Sequence, residues 1–315
     1  MHYDLNAAAG SNDTIFDERG FDETGKVSLE HIYTQPDPRS YFTTLRRLDY
    51  VIPELAKPFF GQLSDEYRAG HGRAPVILDV GCSYGVNAAL LRCDLSMADM
   101  YARYADLPVH SLDHASLVAR DQTLTAAHHG PSVPRFIGLD SSRPAIAYAL
   151  SAGLLDDAVC ADLESRDPTE QESTLLGRAD LVVSTGCIGY IGAPTIERIA
   201  RAGDEHRRPW MAHFVLRMFP FDPIADALSP LGYETERVDG VFPQRRFASA
   251  REREQVLDTL ATVNIDPRGL EADGWLYAEL HISRPTTAAV SAATRASGTQ
   301  SHSARTGATL TARGV

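Results

Sequence analysis

Four residues at the end of a short apolar run carry the first sign of chemistry. Val76 to Val80 is β-branched and apolar, as a buried parallel strand would be, and it contains Asp79. Gly81, Ser83 and Gly85 follow in a turn of small residues, and from Val86 to Leu91 the composition becomes helical. Strand, glycine turn and helix together make a nucleotide-binding geometry. The glycines let backbone approach a ligand, and the helix N-terminus offers free N–H groups. A dinucleotide site would want G-x-G-x-x-G, but Ser83 and Val86 stand at its second and third glycines. A phosphate loop of the Walker type needs a Lys after its last glycine, and none follows Gly85. A second carboxylate, Asp140, ends the next apolar run, Arg135 to Leu139. At a strand C-terminus such a group can accept both hydroxyls of a ribose.

The run Asp79-Val80-Gly81-Cys82-Ser83-Tyr84-Gly85 resembles the first motif of class I S-adenosylmethionine (SAM)-dependent methyltransferases, Asp/Glu-x-Gly-x-Gly-x-Gly, with Ser83 in place of the middle glycine. Three more segments resemble that family in the right order: Gly138 to Ala149, Leu155 to Glu164 and Ala179 to Gly186. The resemblance covers about Val76 to Pro285 and implies an α/β, Rossmann-like fold. Its sheet would be twisted, mostly parallel and seven-stranded, with a reversed last strand and helices on both faces. SAM, as co-substrate, would lie across the strand C-termini at the topological switch point. It would meet Asp79, Gly81, Ser83 and Gly85, the ribose site of Asp140 and Ser141, and Asp162 and Leu163 around the adenine. Ser184, Thr185 and Tyr190 would border the reacting centre. The other reading of Tyr190 is a half-buried ring capping the helix at 194–202.

The elements needed to hold these residues can be read along the chain. Residues 1–25 read as a flexible arm, 26–74 as a helical cap and 75–285 as the core, with 286–315 a disordered tail. In the cap, Phe42, Leu45, Leu48 and Ile52 recur at helical steps, and Pro53 suits a second helix start. The family's N-terminal helices often lie over the SAM pocket, and the resemblance implies the same here. Asp140 comes 61 residues after Asp79, where about 20 is the usual spacing in such folds. A helical insert at 93–134 accounts for the excess, with Ser96 and Asp99 as a capping box. It reads as a small subdomain, either a substrate cap or an oligomer contact. Trp210 to Met218 reads as strand five, and Tyr233 to Gly240 and Trp275 to Ser283 as an antiparallel pair. Arg217 and the run Gln244-Arg245-Arg246-Phe247 could bind a carboxylate, but read first as a solvated basic patch.

Composition removes several classes. A net charge of −12 and a pI near 5.3 argue against nucleic-acid binding. No apolar run is long enough to span a membrane, and the N-terminus lacks a signal-peptide pattern. A cytoplasmic protein is the expectation. Cys82, Cys93, Cys160 and Cys187 make no zinc spacing and read as buried free thiols, and no metal site is expected. The partner expected is a small molecule, with homo-oligomerisation left open.

The resemblance favours methyl transfer to a small molecule by SN2 displacement at the sulfonium. Two alternatives stand beside it. One is a SAM cyclase of the same fold, because the chain distantly resembles enzymes that form azetidine-2-carboxylate and methylthioadenosine. The other is a non-catalytic SAM sensor. His213 and Tyr190 are the candidates for a base.

Overall fold

The computed structural model describes residues 20–21, 25–105, 111–128, 130, 132–204 and 207–286. All but the first residue of the tail expected at 286–315, and most of the arm, therefore lie outside the described residues.

Three helices precede the sheet: α1 (Glu30–Tyr33), α2 (Arg39–Arg47) and α3 (Ile52–His71). Strand β1 (Val76–Val80) leads through the glycine turn into α4 (Val86–Arg92). The insert supplies α5 (Met97–Ala105) and α6 (His114–Ala126). Alternation follows with β2 (Arg135–Asp140), α7 (Arg143–Ser151), β3 (Asp157–Cys160), α8 (Glu170–Leu176), β4 (Leu181–Thr185), α9 (Ala193–Ala202), β5 (Trp210–Leu216) and α10 (Asp222–Leu228). The last described elements are β6 (Tyr233–Arg237), β7 (Phe242–Arg246), α11 (Ala250–Thr262) and β8 (Trp275–Pro285).

The strands are ordered β3-β2-β1-β4-β5-β8-β6, with β7 also on β8. Strands β1 to β5 pair in parallel, and β8 runs against β5 and β6. This is the implied Rossmann-like sheet with its reversed last strand. The count is eight rather than seven because the edge strand is broken. Both β6 and β7 pair with β8 on the same side, β6 with Pro285 to His281 and β7 with Ala278 to Trp275. Gly240, at φ 108°, lies in the break, and the register shifts between Pro243 and Arg245. Proline has no N–H to give the ladder.

This edge corrects the basic-patch reading. Gln244 and Arg245 are buried, and Arg245 makes a two-point ion pair with Glu252. The free side of β7 bonds the turn between α2 and α3, Val51 N–H to the Gln244 carbonyl and Arg246 N–H to that of Leu48. The cap thereby covers an edge that would otherwise be open to pairing.

One sheet face packs under the cap, where Phe59 and Phe60 meet Phe214. The other packs under α9 and α10 through Ile196, Ile199, Phe221, Ile224 and Leu228. The insert packs on the cap and on α7. Its Tyr104 stacks on Phe42 of α2 at 4.7 Å, and Asp121 accepts from Tyr104, Arg103 and Tyr148 of α7. The Ser96–Asp99 box forms as expected. At the described edge of the arm there are two contacts. Phe21 bridges to Val27, and Val27 N–H donates to Glu252 at the start of α11.

Candidate functional site

The turn after β1 is held in shape by close packing. Gly81 has φ 68°, and a Cβ there would lie 2.7 Å from Cys187 Cβ. Gly85 has φ 79° and opens α4 without a side-chain cap. Ser83 also takes a left-handed conformation, φ 47°, and its N–H donates to Asp140 Oδ2 at 2.8 Å. Asp140 Oδ1 accepts from Ser142 N–H at 2.8 Å. These backbone donors hold Asp140 at the end of β2, while burial pushes its pKa up. Ala161 N–H bonds the Asp140 carbonyl, which brings Asp162 and Leu163 alongside; Asp162 is exposed and Leu163 buried.

From Asp79 a circuit of contacts runs to Asp140 across the carboxyl ends of β1, β4 and β2. Asn87 Nδ2 donates to Asp79 Oδ1 at 2.9 Å and to Thr185 Oγ1 at 3.2 Å. Tyr50 neighbours Thr185 on the cap side, and its ring meets that of Tyr41 edge-on with centroids 6.5 Å apart. Tyr41 meets Tyr33 edge-on, with ring centroids 5.6 Å apart. The Tyr33 carbonyl accepts from Ser142 Oγ at 2.5 Å, and Ser142 returns the circuit to Asp140. Tyr84, from the turn itself, donates to the carbonyls of Ile32 and Gln35. The cap is thus fastened directly over the motif turn.

The circuit has a carboxylate at each end and phenol rings along the cap side. Asp79 is fully buried, and its Oδ2 has no hydrogen-bond partner. Burial pushes its pKa up to about 7 against the Asn87 hydrogen bond, and Asp140 adds to the rise. Tyr33 is pushed up to about 12, chiefly by burial, with Arg245 opposing and Asp140 and Cys187 adding. Arg245 is itself neutralised by Glu252. Such a site suits a compact cation, through carboxylates and the negative faces of aromatic rings.

The sequence-chosen residues are not all placed alike. Asp79, Gly81, Ser83, Gly85, Asp140, Ser141 and Thr185 come together. Ser184 is fully buried on the opposite sheet face, its Oγ 2.8 Å from His213 Nδ1. His213 fails as a base: it is fully buried, and desolvation, with His281 adding, pushes its pKa down to about 3. Tyr190 is 53% exposed in the turn after β4, with Lys26 Nζ 4.0 Å from its ring centroid. It does not wall an enclosed cation. Asn87, Tyr33, Tyr41 and Tyr50 were missed. Asn87 directly follows the turn, and the tyrosines cluster in the cap, so a count of aromatic residues there was the available signal.

Among the described residues no helix is long and apolar enough to cross a membrane, and no cluster of His, Cys, Asp and Glu could hold a metal. A separate cleft of about 460 Å³ lies between α10, β6 and β8. Its arginines are already paired, Arg237 with Glu279 and Arg217 with Glu271.

No protein-family model matches the chain, and no curated protein matches it. Solved structures do. The plantazolicin methyltransferase BamL, in complex with a triazolic desmethylPZN analog and SAH, is 12% identical, with a TM-score of 0.41 and coverage of 82% of this chain and 97% of that one. A TehB-like SAM-dependent methyltransferase from Corynebacterium glutamicum is 15% identical, with a TM-score of 0.33 and coverage of 69% and 85%. EvdMO1 is 12% identical at a TM-score of 0.35; the match covers 71% of this chain but only 40% of EvdMO1. Likeness this distant does not say what the chain binds or does.

Proposed function

We propose that this chain binds SAM and directs displacement at a carbon of its sulfonium, with methyl transfer to a small molecule as the first reading. The observation that carries it is the buried Asp79 carboxylate, one oxygen held by Asn87 and the other without a partner. An orphaned buried acceptor costs about 1–3 kcal/mol until a donor meets it. The ammonium of a methionine moiety is such a donor, and Asp140 stands ready for the ribose hydroxyls. Asp162 and Leu163 would flank the adenine, and the phenol faces of Tyr33, Tyr41 and Tyr50 suit a sulfonium.

When bound, SAM supplies an electrophilic carbon. The chain's part is to exclude water, fix the cofactor and align the nucleophile. Thr185 and Tyr50 border that centre. The tyrosines stabilise positive charge without competing as nucleophiles, because burial keeps them protonated.

A second reading, cyclisation of SAM by its own amine, is favoured by the same Asp79. A carboxylate with a pKa near 7 can take the ammonium proton that this attack must lose. One assay separates the readings: incubate the protein with SAM alone and with acceptor panels, then identify the nucleoside. S-adenosylhomocysteine that appears only with an acceptor supports methyl transfer. Enzyme-dependent methylthioadenosine from SAM alone supports cyclisation. Tight binding with neither product supports a sensor.

A further inference from the structure

Asn87 occupies the second position of α4, immediately after the glycine turn, and is 5% exposed. Its amide nitrogen reaches two groups from two strands, Asp79 Oδ1 of β1 at 2.9 Å and Thr185 Oγ1 of β4 at 3.2 Å. One side chain therefore ties the buried carboxylate of β1 to the β4 exit. A buried carboxylate with neither oxygen held could rotate or take up a proton. With Asn87 in place the Oδ1 position is taken and Oδ2 is left open.

We propose that Asn87 is a positioning residue, holding Asp79 ionised and turned so that Oδ2 meets the ammonium of an α-amino-acid moiety. This deepens the SAM reading and rests on it. The groups facing Asp79 are few and known. Asp140 at the end of β2 disfavours its charge, and Cys82 of the turn and Cys187 of the β4 exit lie within its field. Burial pushes both thiols up, Cys187 to about 12, so neither titrates near neutrality. Asn87 is the hydrogen-bonding neighbour that favours the charge.

Affinity for an amino-acid ligand should therefore rise with pH through about 7, as Asp79 ionises. It should fall again as the ligand's amine, ordinarily near about 8, loses its proton. Removing the Asn87 amide moves the rising limb to higher pH and leaves the falling limb in place.

The test is calorimetric titration of the full chain with SAM, S-adenosylhomocysteine and methylthioadenosine, the last lacking the amino-acid group, from pH 5.5 to 9. In Asn87→Leu, SAM and S-adenosylhomocysteine should bind about tenfold more weakly at pH 7, the loss expected when a hydrogen bond to a charged group goes. Methylthioadenosine affinity should stay within about twofold of wild type, and the rising limb should shift upward. Asn87→Gln, which keeps the amide, should recover part of the loss. Equal weakening of all three nucleosides, or an unmoved pH profile, overturns the assignment and makes Asn87 merely structural. Wild-type protein that binds none of the three overturns the SAM reading, and the assignment with it.

Discussion

Ser83 and Asp140 are joined across two turns: the backbone N–H of Ser83 donates to Asp140 Oδ2 at 2.8 Å. The carboxylate expected to take a ribose therefore also braces the motif turn. Asp140→Ala removes both roles. SAM affinity should fall by roughly 1.5–3 kcal/mol, the range for a hydrogen bond to a charged group. Titration calorimetry showing unchanged affinity would remove the ribose assignment.

The same bond explains why Ser83 can hold a left-handed conformation where the family pattern has glycine. A non-glycine residue there is strained by about 1–2 kcal/mol. The Ser83 hydroxyl offers no compensation, because Oγ is buried without a partner. Ser83→Gly should thus be neutral or stabilising by up to about 1 kcal/mol, the relief of strain being set against a freer unfolded chain. Its N–H still reaches Asp140, so SAM affinity should not change. A melting temperature several degrees below wild type would show that the hydroxyl has a partner the structure does not contain.

Asp180, fully buried before β4, gives the fold a defined acid limb. Burial raises its pKa, but hydrogen bonds from Arg73, Val76 N–H, Arg207 and Tyr67 outweigh this and bring it down to about 2. A folded-state value below the unfolded one stabilises above the unfolded pKa and is lost as pH falls toward the folded one. Both arginines are about half exposed. The contribution at pH 7 is therefore about 1–2 kcal/mol after screening. Asp180→Asn should melt lower than wild type by a constant margin above about pH 5. The margin should close between pH 4 and 2. A margin that persists at pH 2 would mean that the loss is in packing and not in charge.

Much of this arrangement was legible in advance, for physical reasons that can be named. Parallel strands buried on both faces read as apolar runs, so β1, β2, β4 and β5 were found within a residue or two. The glycine turn and the acid ending β2 carry their chemistry in residue type. β7 was not found, because an edge strand needs no apolar alternation. Its Pro243-Gln244-Arg245-Arg246 looks like solvated surface until Glu252, seven residues after Arg245, neutralises it. Helix α11 escaped for a related reason: its first turns are charged, and only Val256 and Leu260 mark its buried face. Ser184 was chosen for its place near a strand end. In a strand successive side chains alternate sides, so Ser184 and Thr185 cannot share a face, and Thr185 is the one that meets the site.

Glu252 accepts four hydrogen bonds, two from Arg245 and one each from the N–H groups of Val27 and Ala248. It therefore does two separable things. It neutralises a buried arginine, and it clips the segment before α1 onto α11, with Lys26 beside Tyr190. Glu252→Ala should cost about 3–5 kcal/mol, the penalty for leaving a buried charge unpaired. It should also open the segment at 25–28 to limited proteolysis. Arg245→Met combined with Glu252→Met removes the charge problem, and stability should largely return, since apolar replacements of a buried pair are often tolerated. Protection of the segment should not return, because Val27 N–H still has no acceptor. If the double variant regains protease resistance along with stability, the segment is held by its other contacts, such as the Arg251 guanidinium over the Phe21 ring, and not by the Glu252 clip.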